Sequence, residues 1–200
     1  RIQLCIGCFF AKAVVSVPYS EKENVRVLLN QFIAEIELEL GETEPTIQIT
    51  LESEQLPTTA VDKKTSDALL NALYACPHGV VAMSRDMPGL VETSTNLASI
   101  KMKPDNNILI TTSQRSSIES SKYDIANQVE AALTLAGATA THGDGYPGWK
   151  PNLKSDVLTI AQTAYKTLFN ETPGIRAIHA GLECGLFLKK YPHLDMISIG

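Results

Sequence analysis

Val91-Glu92-Thr93-Ser94-Thr95-Asn96-Leu97-Ala98-Ser99-Ile100-Lys101-Met102, then Pro104-Asp105-Asn106-Asn107, then Ile108-Leu109-Ile110-Thr111-Thr112-Ser113 is the stretch on which the fold turns. A Pro-Asp-Asn-Asn turn between two β-prone runs predicts a hairpin. The next segment carries Ile125, Val129, Ala132, Leu133 and Ala136 on one helical stripe, with Gly137 as its stop. Upstream, Val25, Leu28, Leu29, Phe32, Ile33, Ile36 and Leu40 mark a helix over 24–40 that Gly41 ends. A further helix spans about 63–76 and stops before Pro77. Strands are expected over 11–17, 46–51 and 138–142. Helices laid against an antiparallel sheet make an α+β layer.

The composition changes at Gly143-Asp144-Gly145-Tyr146-Pro147-Gly148-Trp149-Lys150-Pro151, and a domain boundary is expected there, with residues 1–145 on one side and 146–200 on the other. Ser155 should cap a helix whose apolar face is Val157, Ile160, Ala161, Ala164 and Leu168. Strands over 175–180 and 196–199, with a short helix between them, give the alternation of a parallel α/β sheet. So short a piece cannot cover both faces of such a sheet, so the last 50 or so residues read as a partial α/β segment.

A net charge of -5 argues against a nucleic-acid or anionic-membrane partner, because either favours a basic patch. No apolar run reaches the roughly 18 residues of a membrane span. Residues 2–10 lack a basic leader and a cleavage pattern, so no signal peptide is expected. Cys5, Cys8, Cys76 and Cys184 are scattered, and Cys5-Ile6-Gly7-Cys8 has no second pair with which to build a zinc site. Reduced thiols in a cytoplasmic protein fit this usage best.

His179-Ala180-Gly181-Leu182-Glu183-Cys184-Gly185-Leu186-Phe187, with Tyr191-Pro192 and Asp195-Met196-Ile197-Ser198-Ile199-Gly200, resembles the C-terminal part of the aminoacyl-histidine dipeptidases. These are two-metal peptidases that cleave Xaa-His dipeptides such as carnosine. Glu92-Thr93-Ser94-Thr95-Asn96-Leu97 is similar to a strand of their lid domain, Ile110 to Ser116 to a second one, and Tyr146 to Pro151 to the loop that returns to the catalytic domain. Four such motifs in collinear order over 11–200 are specific where each alone is modest. The resemblance implies a lid or dimerisation-type domain over 1–145 with its N-terminal part missing, and an incomplete strip of the catalytic domain over 146–200. It also implies a possible homodimer through the lid.

The resemblance further implies zinc, as two divalent metals, in the intact enzyme. Its ligands would be an upstream His-x-Asp, a bridging Asp, a Glu-Glu pair, a further Asp and a late His. No Glu-Glu dipeptide occurs in this chain. The ligands should therefore lie before residue 1 and after residue 200, no metal is expected on the fragment itself, and the fragment alone is expected to be inactive. An Arg-Asn-x-Ile-Pro-Arg-Glu-type segment is expected before the strand at 11–17, but Arg1-Ile2-Gln3-Leu4-Cys5-Ile6-Gly7-Cys8 stands there. Our hypothesis is a shifted reading frame or a mis-called start over about the first ten residues. Resequencing that shows an unbroken in-frame extension would remove it.

By the same resemblance, Arg115 grips the carboxylate of the Xaa-His substrate, a task suited to the bidentate guanidinium fork. Without the resemblance it is an exposed arginine at a strand end. Gly181, Glu183 and Gly185 form a strand-to-helix turn beside the metal site, where α/β sheets place ligand-binding groups; otherwise Glu183 is a carboxylate favoured by the helix dipole. His179 reads as a packed histidine, Tyr146 and Trp149 as loop anchors, and Cys184 lacks an identifiable partner for nucleophilic work. His142-Gly143-Asp144 and His193-Leu194-Asp195 have metal-like spacing, but a metal needs three or four converging ligands, so both read as surface or loop pairs. The alternative to an enzyme is a non-catalytic, lid-like binding or oligomerisation module, favoured by an open sheet edge.

Overall fold

The computed structural model describes residues 2–5 through their backbone, and 12–150, 152–177 and 183–199 in full. It divides into two units, Arg1–Val61 with Ile100–Leu109, and Asp62–Ser99 with Ile110–Gly200.

In the first unit, β1 (Ile2–Cys5) pairs antiparallel with β2 (Lys12–Ala13), Ile2 opposite Ala13 and Gln3 opposite Lys12. The Lys12 ammonium pairs with the Glu54 carboxylate. That contact raises the lysine's pKa and lowers the glutamate's. A 3-10 turn at Tyr19–Glu21 leads into α1 (Lys22–Leu40), which buries no residue, and Gly41 forms its C-cap. The predicted stripe is present, with Val25, Leu29, Ile33 and Ile36 half-exposed and Leu28 and Phe32 exposed. The hairpin tip closes as expected. Lys103 donates its N–H to the Asn107 carbonyl at 2.8 Å, and Asn106 takes a φ of 64°, a conformation asparagine tolerates.

The second unit holds the main core. Asp62 caps α2 (Lys63–Ala75) by accepting the Thr65 N–H at 3.0 Å. Strands β3 (Gly79–Met83), β4 (Val91–Met102) and β5 (Ile108–Ser116) make the antiparallel sheet of this unit, β4 pairing with both β3 and β5. Helix α3 (Glu119–Leu135) packs against α2. Strand period and helix period meet in one buried layer: Thr93, Thr95 and Leu97 from β4, Ile125, Ala126, Val129 and Leu133 from α3, and Ala72 from α2. Gly137, with φ at 86°, ends α3. This is the α+β arrangement that the periodicities predict. Helix α4 (Asp156–Phe169) and helix α5 (Glu183–Lys190) follow.

Several expected strands are not formed. Among the described residues, 46–51, 138–142 and 196–199 have no ladder partner, and neither do 175–177, the described part of the strand expected over 175–180. Alternation and β-branching mark a segment fit for a sheet, but backbone pairing with a neighbour makes it a strand. Strand β3 was not anticipated, because Gly79-Val80-Val81-Ala82-Met83 is short and lacks alternation. Its pairing with β4 carries register shifts between Val80 and Ala82 and between Ala82 and Met83.

Candidate functional site

The end of β5 is fixed by its neighbours. The Thr93 and Ser116 hydroxyls lie 2.8 Å apart, and Ser116 Oγ also accepts the Ile118 N–H at 3.0 Å. Gln114 donates to Thr95 Oγ1 at 3.1 Å, and Ser117 donates its backbone N–H to the Glu92 carbonyl at 3.1 Å. This register puts Arg115 opposite Ser94 and, by the alternation of the pleat, on the exposed face. The backbone of Arg115 is therefore anchored while its guanidinium makes no ion pair with another described residue. Such an arrangement presents a positive fork from a fixed base, suited to a carboxylate.

The segment after the proposed boundary is bound to this strand end. Glu119, in the first turn of α3, accepts the Gly148 N–H at 2.7 Å through Oε2 and the Lys122 ammonium at 2.9 Å through Oε1. Lys122 also donates to the Tyr146 carbonyl at 2.9 Å. Burial pushes the Glu119 pKa upward, but the Gly148 N–H and Lys122 outweigh it and hold the carboxyl below its ordinary value. Gly148 lies so close to β5 that a β-carbon there would stand 2.9 Å from the carbonyl oxygens of Ser116 and Ser117. Only glycine fits. Beside this segment, Lys150 pairs with Asp86 at 2.7 Å.

Glu183 begins α5 with an exposed carboxylate, and Gly185 is buried two residues on. A β-carbon at Gly185 would stand 2.9 Å from the Pro147 carbonyl oxygen. Gly181 and His179 lie outside the described residues, as does Cys8. Arg115, Gly148 and Gly185 are thus joined by a run of close backbone packing. Glu119, Lys122 and Ser116 were not singled out by sequence reasoning. The available signal was a first-turn Glu three residues before a Lys, which most often marks only a solvated helix pair.

The two His-x-Asp pairs have other partners. His142 lies 2.7 Å from Glu130. Asp195 accepts from the Ser155 hydroxyl at 2.8 Å and from the Val157 N–H at 3.2 Å. These bonds hold its carboxyl below the usual aspartate range. Among the described residues no three His, Cys, Asp or Glu side chains converge to hold a metal ion, so the metals implied by the resemblance do not fit here. Burial raises the Cys76 pKa and keeps that thiol neutral. A cleft of about 330 Å³ beside β3 and α3 is lined by Val81, Ala82, Thr93, Ser121, Asp124 and Ile125 and carries one carboxylate and no cation. No helix among the described residues is long and apolar enough to cross a membrane.

No protein-family profile matches the chain. The chain is 38% identical over 190 residues, 95% of its length, to the cytosol non-specific dipeptidase of Escherichia coli. It spans 39% of that relative's length. Its fold is similar to the crystal structure of aminoacylhistidine dipeptidase from Vibrio alginolyticus, with a TM-score of 0.81 and 34% identity, over 92% of this chain and 37% of that one. The resemblance read from the short motifs is thereby shown, and the proteins matched are dipeptidases.

Proposed function

We propose that these residues form the substrate-covering lid, over 1–145, and an adjoining strip of the catalytic domain, over 146–200, of a cytoplasmic, metal-dependent dipeptidase acting on Xaa-His dipeptides. The observation that carries this reading is the 38% identity sustained over 190 residues with a dipeptidase. The anchored Arg115, whose guanidinium makes no ion pair with another described residue, supports it. In the proposed enzyme its guanidinium holds the carboxylate of the dipeptide, while Gly181, Glu183 and Gly185 line the turn that faces the substrate. Charge pairing of this kind orients the substrate and fixes the distance from its C-terminus to the scissile bond.

Two zinc-type metals would polarise the peptide carbonyl and activate water when bound. The residues described here do not form their site, so the reading assigns them to sequence other than these 200 residues, and the isolated chain is inactive. The apolar face of α4 supports a larger body, because Ile160, Leu168 and Phe169 are 68%, 75% and 61% exposed. The exposed stripe of α1 equally favours a second reading, a non-catalytic module that associates through that helix as a homodimer.

The test is transplantation. The matching segment of the bacterial dipeptidase is replaced by this chain, zinc is supplied, and carnosine hydrolysis is measured. A chimera that turns over substrate supports the enzyme reading. A folded, zinc-loaded chimera without turnover supports the binding-module reading instead.

A further inference from the structure

Arg115 and Glu183 belong to elements far apart in sequence, yet both adjoin the same short loop. Gly148 rests on the carbonyls of Ser116 and Ser117, immediately after Arg115. The preceding carbonyl, that of Pro147, rests against Gly185, two residues beyond Glu183. Close packing alone does not hold an exposed Gly-Pro-rich loop in one conformation, since such segments have many accessible states. A specific tether is required, and the structure has one. Glu119 accepts the Gly148 N–H at 2.7 Å, while Lys122 binds both Glu119 and the Tyr146 carbonyl at 2.9 Å.

We infer that Glu119 is a positioning residue: its carboxylate clamps Gly148 and so holds the Arg115 strand end and the Glu183–Gly185 turn in one fixed arrangement. The chemistry suits the task. A charge-assisted bond to a backbone N–H is shorter and stronger than a neutral one, and the carboxylate's second oxygen is occupied by Lys122, which fixes its rotamer. Gly148 cannot move toward β5, because its α-carbon already sits where a β-carbon would collide with two carbonyl oxygens. Removing the tether frees the loop only outward, and α5 then loses the Pro147 surface against which Gly185 packs. The role in substrate placement rests on the dipeptidase reading; the mechanical coupling does not.

Amide hydrogen exchange on the 200-residue chain tests the coupling without any substrate. Glu119→Ala is expected to speed exchange about tenfold or more at Gly148 and in residues 185–190, with α2 unchanged. Glu119→Gln retains an oxygen acceptor and is expected to restore most of the protection, which a loss of helix stability alone would not do. Unchanged rates at Gly148 and α5 in Glu119→Ala, or a Gln variant as fast as the Ala one, overturn the inference. Should Ala loosen the whole chain, Glu119→Asp takes its place: selective loss at Gly148 and α5 supports the clamp, and uniform protection overturns it. An inactive chimera with the coupling intact would sink the dipeptidase reading alone. An active chimera whose coupling fails would sink only the clamp.

Discussion

Asp195 caps a helix that begins forty residues before it: its Oδ2 accepts the Ser155 hydroxyl at 2.8 Å and the Val157 N–H at 3.2 Å. Ser155 in turn accepts the Leu158 N–H at 3.0 Å, so two acceptors satisfy the first free donors of α4. The negative carboxylate also sits at the positive end of the helix dipole. A segment without regular pairing of its own, residues 191–199, is thereby held to α4.

Ser155→Ala removes a nearly fully buried cap, and we expect it to cost about 1–2 kcal/mol by the usual range for N-cap loss. Urea denaturation with a probe on α4 checks the value. A change within experimental error would show that the Asp195 carboxylate caps the helix alone.

Acid should loosen both carboxylate tethers. The folded pKa values of Asp195 and Glu119 lie below their ordinary values. Their contributions are therefore complete above the unfolded pKa values, about 3.9 and 4.3, and fade as pH falls through the lower folded values. Melting curves should show the Tm gap between wild type and an Asp195→Asn, Glu119→Gln double variant closing below about pH 4. A gap that persists at strong acid contradicts the assignment.

Ile125 is 1% exposed at the centre of α3. Ile125→Ala should destabilise the second unit by about 2–5 kcal/mol, the range for a cavity in a packed core. The same change at Leu28 or Phe32, exposed on α1, should cost far less in the isolated chain. Equal losses at Ile125 and Leu28 would mean that α1 is covered.

Gly148→Ala forces a β-carbon to 2.9 Å from two carbonyl oxygens, backbone atoms that cannot step aside cheaply. A cost of about 1–3 kcal/mol is expected, read by thermal unfolding. Gly145→Ala, with nothing near its β-carbon but a φ of 55°, should cost less than Gly148→Ala.

Sequence periodicity found what local chemistry determines. The apolar stripe of α3, the Asp-Asn turn after β4, Ser155 as a cap and Gly41 and Gly137 as stops all occur where the residues place them. It failed where pairing decides, since 46–51 alternates well yet has no ladder partner among the described residues, and β3 lacks alternation yet lies beside β4. Arg115 could be named only through a family likeness, because an arginine at a strand end is ordinary. Glu119 could not be named at all. Its partner is a backbone N–H 29 residues away, and a backbone donor leaves no mark in a sequence.

Our proposal is that this chain supplies a dipeptidase lid whose Arg115 holds the substrate carboxylate. It is tested most directly by carnosine kinetics in the zinc-loaded chimera, comparing Arg115→Ala and Arg115→Lys with the parent. The account predicts a KM raised about tenfold or more by Ala, with partial recovery by Lys, because a charged hydrogen-bonding partner has been removed. A parent chimera that hydrolyses carnosine with a KM indifferent to Arg115 would contradict it.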